Sequence, residues 1–152
     1  MKRLFQFLFV LVVLTSVTFM ILGAGLQNSR ADLRAKAAKN MATLAVCVIV
    51  YANDYDEVLP HRFSTQADLK SVVERKDTRP DQMMRQSILR KVAMLKSLNP
   101  NGGKILPNSK LAGATVYTMP DPSSTVSVYD SKKWPEGDQL KGFLSTKSKF
   151  VK

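Results

Sequence analysis

Leu4 to Leu26 reads LFQFLFVLVVLTSVTFMILGAGL, and no charged side chain occurs between Leu4 and Ser29. About 20 apolar residues, rising ~1.5 Å each, cross the hydrocarbon core of a bilayer. This run of 23 residues can therefore span with a modest tilt. It follows Lys2 and Arg3 directly, as an insertion signal does. A cleaved secretory signal has a shorter apolar core, about 7–15 residues, closed by a small-residue site. Gly23-Ala24-Gly25 offers such a site without the A-x-A form. The length of the run and the lack of a turn signal behind it favour an uncleaved anchor. Arg30, Arg34, Lys36 and Lys39 come soon after it, and a count of Lys and Arg alone would hold the long part in the cytoplasm. An insertion signal of this length at the start of a chain usually exports its large downstream domain. The expected arrangement is thus a cytoplasmic amino terminus and an exported head.

Outward from this run, the helical pattern does not stop. No Gly or Pro occurs between Leu26 and Leu59, and the sequence is rich in Ala, Arg, Lys, Leu and Met, all good helix formers. Leu33, Ala37, Met41, Leu44, Val48 and Tyr51 recur at steps of three or four and share one face. Asp32 and Lys36 can pair across one turn. The pattern predicts one helix from about Leu4 to about Tyr55, with a lipid-embedded first half and an amphipathic second half packed on a domain. Thr43 to Ala52 is apolar nearly all round and needs cover on most of its surface. Asn53-Asp54-Tyr55-Asp56-Glu57 ends the apolar pattern, and Pro60 stops the helix. Three carboxylates this close suggest a cation site, but the Gly turn and distal Glu of a calcium loop are missing. A polar helix exit is the better reading.

The chain has 152 residues and a net charge of +11, of which Lys2 and Arg3 account for two. A basic remainder favours anionic neighbours, such as lipid headgroups, cell-wall polymers or nucleic acid, over a merely solvated surface only weakly. The single cysteine, Cys47, cannot form an internal disulfide, and His61 has no cysteine near it to make a zinc site. Nor does a Ser, Cys or Asp stand where His61 would serve as a base for it. No catalytic, cofactor or metal-binding residues, and no small-molecule substrate, are expected.

Beyond Pro60, Ser64 or Thr65 can cap a helix from Gln66 to Arg75. Pro80-Asp81 opens a second, to about Leu98, with Met84, Ile88, Val92 and Leu95 on one face. Arg85, Arg90, Lys91 and Lys96 lie mostly off it, and no aromatics interleave with this basic run. Asn99-Pro100-Asn101-Gly102-Gly103 is a strong loop signal. After it the period falls to 2, and Thr115–Met119 and Thr125–Tyr129 read as strands. Ser131 to Gly137 is turn-rich, and Gln139 to Leu144 with Ser148 to Val151 form a closing hairpin. Helices followed by strands predict an α+β fold with an antiparallel sheet packed on Thr43–Ala52.

Three stretches resemble a known group. Tyr51-Ala52-Asn53-Asp54-Tyr55-Asp56-Glu57-Val58-Leu59-Pro60 is close to Y-A-x-D-Y-D-E-x-x-P. Leu111-Ala112-Gly113, then Pro120-Asp121-Pro122-Ser123-Ser124-Thr125-Val126-Ser127-Val128-Tyr129-Asp130, resembles L-A-G … D-P-S-x-T-V-x-x-Y-E. Gly142-Phe143-Leu144-Ser145-Thr146-Lys147-Ser148-Lys149-Phe150-Val151 aligns in frame with a closing F-x-D-G-H-V-K-x-V strand. These belong to the prepilin-like proteins with a carboxy-terminal DGH motif, a group similar to the pseudopilins of type II secretion and the subunits of type IV pili. Two departures stand out. The group's G-F-T-L-I-E processing site is replaced by Leu4-Phe5-Gln6-Phe7 after a basic start, so Gln6 stands where its glutamate falls. Ser145, Thr146 and Lys147 replace the DGH triplet.

The resemblance implies a pilin-like fold: a long amino-terminal helix on a small antiparallel sheet. Residues 1–29 would form the transmembrane anchor, 30–59 its amphipathic continuation, and 60–152 a small α+β head. The implied function is structural, in a secretion or pilus-type system, as a divergent or minor member. The implied place is the cytoplasmic membrane of a bacterium, single-pass, with the head extracytoplasmic. Partners would be the lipid bilayer and like subunits or other pseudopilins. Membrane and subunit contacts would fall on Leu4, Gln6, Leu8, Leu11, Leu14 and Met20, then on Leu33, Met41, Leu44, Val48 and Tyr51. The alternative is a membrane-anchored surface protein that binds an anionic polymer such as DNA, with steep salt dependence.

Overall fold

The computed structural model describes residues 2–74, 82–145 and 148–151. Helix α1 runs from Lys2 to Asp54, in agreement with the expected helix to within two residues. It is long and apolar enough to cross a membrane. The chain forms two compact units, Met1–Ala35 and Lys36–Lys152.

The first unit is helical. Of the apolar side chains described in it, Val12, Val13, Leu14, Met20 and Leu26 are exposed and Leu33 is half-buried. The second unit is built from the rest of α1, helices α2 (Gln66–Glu74) and α3 (Gln82–Ala93), and strands β1 (Ile105–Pro107), β2 (Val126–Asp130), β3 (Gln139–Phe143) and β4 (Ser148–Val151). The four strands form one antiparallel meander in chain order. The fold is α+β.

Burial explains the order of elements. Met41, Leu44, Ala45, Val48 and Ala52 of α1 are buried together with Leu69, Val72 and Val73 of α2 and with Val128 and Leu140 of the sheet. No residue from Asn40 to Ala52 is exposed, as its nearly uniform apolarity requires. Helix and sheet approach closely at Gly142. A Cβ there would lie 3.1 Å from the Met41 carbonyl oxygen and 2.8 Å from Val128 Cγ2. The Ser148 hydroxyl donates to the Ala38 carbonyl at 2.7 Å, which ties β4, one border of the sheet, to α1.

β1 has no counterpart among the expected strands. It has three residues and ends in Pro107, too short to show alternation, and a proline suits the outermost strand because it has no N–H to donate. A bulge at Val126–Val128 breaks the β2–β3 register. On the β1 side of the same stretch, Asn108 donates its backbone N–H to the Ser127 carbonyl and its side-chain amide to the Val126 carbonyl.

Two other expectations are corrected. Thr115–Met119 is not a strand. Thr115 makes one isolated bridge to Val58, and Val116–Thr118 is a short 3-10 turn. The Val116 N–H donates to the Glu57 carbonyl, so this segment finds its partner at the helix exit rather than in the sheet. Helix α3 stops at Ala93, short of Leu98, because Lys96 leaves the helix to bridge Lys104. Arg75, Pro80, Asp81, Thr146 and Lys147, on which other expectations rested, lie outside the described residues.

Candidate membrane-spanning and packing surfaces

The backbone of Leu4, Gln6, Leu8 and Leu11 is helical; their side chains lie outside the description. Leu14 and Met20 are 60% and 77% exposed. The three hydroxyls within this run turn inward to the helix itself. Thr15 and Ser16 donate to the Val12 carbonyl at 2.9 and 2.8 Å, and Thr18 donates to the Leu14 carbonyl at 2.7 Å. Such bonds satisfy a hydroxyl without water, as a lipid environment demands. An apolar surface with internally satisfied hydroxyls is compatible with a hydrocarbon environment.

Leu33 is half-buried, whereas Met41, Leu44 and Val48 are at most 1% exposed. The chain's own head covers these three, so their contacts are intramolecular and they offer no surface to a neighbouring subunit. Tyr51 is half-buried and stacks on Tyr55, with centroids 4.3 Å apart. Within α1, among the described residues, the stretch long and apolar enough to cross a bilayer is Ser29–Asp54. Its buried face makes it the core helix of the head instead.

The stretches singled out by resemblance meet in space. Helix α1 ends with Asp56 and Glu57 both at positive φ, 51° and 66°. The Glu57 N–H donates back to the Ala52 carbonyl at 2.7 Å, a Schellman-type closure made without glycine. The exit then runs beside residues 113–116: Leu59 N–H donates to Ala114, Gly113 N–H to Pro60, and Val116 N–H to Glu57. Leu111-Ala112-Gly113 is the turn that brings this segment in, with buried Leu111 as its anchor and Gly113 at φ 68°. His61, an exposed side chain, lies over Gly113, where a Cβ would come within 2.9 Å of its Nδ1. The acidic exit is thus a helix stop and a crossing point.

Asp121-Pro122-Ser123-Ser124-Thr125 folds as a local turn. The Asp121 carboxylate accepts from the Ser123 hydroxyl at 2.7 Å and from the N–H groups of Ser123 and Ser124. These bonds, the Ser123 hydroxyl first, hold its carboxyl below the usual range. Helix α2 opens on a capping box. Asp68 accepts from the backbone N–H groups of Ser64 and Thr65, and the Thr65 hydroxyl accepts from the Asp68 N–H. Those backbone bonds lower the Asp68 pKa despite slight desolvation.

Two open grooves mark the head. One, about 550 Å³, lies between Ala38, Lys39 and Ala42 of α1, the Ser123–Ser124 turn, and Phe143, Ser148 and Lys149. The other, about 540 Å³, lies among α2, the end of α3 and the start of β1, and carries Lys70, Lys96 and Lys104. Sequence reading groups Lys96 with the basic run of α3 and misses its partners. The signal is the Asn99–Gly103 loop, which sets its two flanks opposite each other. Comparison with protein-family models, with curated proteins and with solved structures finds no match.

Proposed function

We propose that this chain is a single-pass membrane protein of the pseudopilin type, with the span at Leu4–Leu26 and a structural α+β head outside the cytoplasmic membrane. The observation that carries the reading is the run Leu4–Leu26 of α1: charge-free, exposed on its described apolar side chains, with its hydroxyls bonded to its own carbonyls. The second half of the same helix forms the core of a small antiparallel head, as a pilin-like subunit needs. The resemblance of Tyr51–Pro60 and of Pro120–Asp130 supports the narrower assignment.

In this reading Gln6 leaves the span without the ionisable group that the group's glutamate supplies. A buried carboxylate in lipid is costly and functional, and a neutral amide removes that device for setting register between neighbouring helices. The chain is then a divergent or minor member, held to the membrane by apolar burial alone. Expression with native export machinery, followed by fractionation and amino-terminal sequencing, tests this. We expect the full chain in the membrane fraction, extracted only by detergent. Cleavage after Gly25 with a soluble head would refute the anchor, and trimming at the start of the apolar run would support prepilin-type processing.

A further inference from the structure

We propose that the groove bounded by Lys70, Lys96 and Lys104 binds a phosphate-bearing ligand with two or more negative charges. Lys96 and Lys104 are direct partners in an isolated antiparallel bridge. Directly opposed residues project to the same side of a ladder, where like charges repel. Both side chains line the same groove, and Lys70 of α2 closes it from a third side. The fold therefore brings three lysines to one groove, two of them directly opposed across a backbone bridge. An anion between them turns that repulsion into attraction.

The surroundings neutralise this charge only in part. No Asp or Glu lines the groove among the described residues. Glu74 reaches Lys70 at 3.5 Å, but both side chains are about half exposed. Such an i,i+4 pair is weak and yields to a charged phosphate. Asp130 lies behind Gly103, where any Cβ would collide with its carboxylate. It is 1% exposed and accepts from the Ser97 hydroxyl at 2.6 Å and from the Lys132 N–H. That carboxylate is held within the fold, while Lys104 is fixed by Ser131, whose hydroxyl accepts the Lys104 N–H and whose N–H donates to the Lys104 carbonyl.

The chemistry of the lining selects phosphate over a nucleobase. Ala67, Val92 and Leu95 supply an apolar floor, and no aromatic side chain lines the groove among the described residues. Base stacking has no platform here. Ammonium groups are compact cations that bind phosphate as point charges. Three of them call for a dianion or more, since a single negative charge leaves the groove strongly positive.

The test is calorimetric titration of the full chain, in micelles of uncharged detergent at low salt, with inorganic pyrophosphate. We expect one site per chain, weakened by added salt. The double variant Lys96→Gln/Lys104→Gln, at exposed positions, should lower affinity by about tenfold or more with an unchanged far-UV circular dichroism spectrum. Glu74→Gln, which frees Lys70, should raise affinity. Lys110→Gln/Lys133→Gln removes the same charge elsewhere and should change nothing. Absence of binding, or an equal loss in that control pair, overturns the proposal. Glycerol 3-phosphate as a second titrant sorts the source. Tighter binding than pyrophosphate assigns a lipid headgroup and weaker binding a soluble phosphate, and either order supports the groove, provided the Lys96/Lys104 variant weakens it in the same way.

Discussion

Gly142 is where a single hydrogen atom decides whether helix and sheet can meet. A methyl group there would press on a main-chain oxygen, which cannot swing aside as a side chain would. Gly142→Ala should therefore destabilise the head by about 1–3 kcal/mol, read as a lower urea midpoint with an unchanged slope. Glu57 poses the opposite case. Its φ of 66° places a side-chain-bearing residue in the left-handed region, at a cost of roughly 1–2 kcal/mol. Glu57→Gly relieves that strain but adds flexibility to the unfolded chain, so a net gain of about 0.5–1 kcal/mol and a higher Tm are expected. Neither position is legible in the sequence. Gly142 looks like one more residue of a closing strand, and nothing in Asp56-Glu57 announces a left-handed turn, because the usual glycine is missing. What can be read there is the helix stop itself, from the loss of apolar pattern and from Pro60.

At the scale of elements, those with strong local signals are readable and those defined by distant partners are not. Helix α2 carries its own cap, and the structure chooses Thr65 over Ser64 because the Thr65 hydroxyl accepts the Asp68 N–H. Thr65→Ala should cost about 1 kcal/mol, measurable by thermal unfolding. β2, β3 and β4 alternate or carry turn signals and match the expected strands. β1 has three residues, and the segment at 115–119 satisfies its backbone at the helix exit, a partner more than fifty residues away that periodicity cannot reveal. Asp68 also gives the acid response of this element. Its folded pKa is lowered from 3.8, so its contribution is fully present above that value and is lost as pH falls through the lower folded value. Stability of the head should be insensitive to this group from neutrality to about pH 4 and decline below. Asp68→Asn should flatten that decline in an acid-unfolding series while lowering stability at neutral pH.

For the whole molecule, one helix serves two units, and the division falls inside it. The three-lysine groove is invisible in the sequence for a related reason: Lys70 lies on α2, Lys96 in the turn after α3 and Lys104 just before β1, and only the fold brings them to one groove. A chain shortened to begin at Arg30 keeps Ala37, Met41, Leu44 and every later core residue. It should be soluble without detergent and unfold cooperatively. A chain beginning at Ala45 loses those three side chains, at about 2–5 kcal/mol for each of the larger two, against a total stability of about 5–15 kcal/mol. It should lack the near-UV dichroism of Trp134. If both shortened chains behave alike, α1 does not form the core.

The border strand β4 has a consequence for molecules held side by side on a surface. Confinement to two dimensions raises encounter frequency, and an open strand border invites a neighbour's backbone to pair with it. Ser148, hooked to the Ala38 carbonyl, keeps this border bent back onto its own helix, and exposed Lys149 places a charge on it. If the chain is anchored as proposed, crowded copies would thereby be discouraged from zipping together through this border, leaving ordered association to their helices.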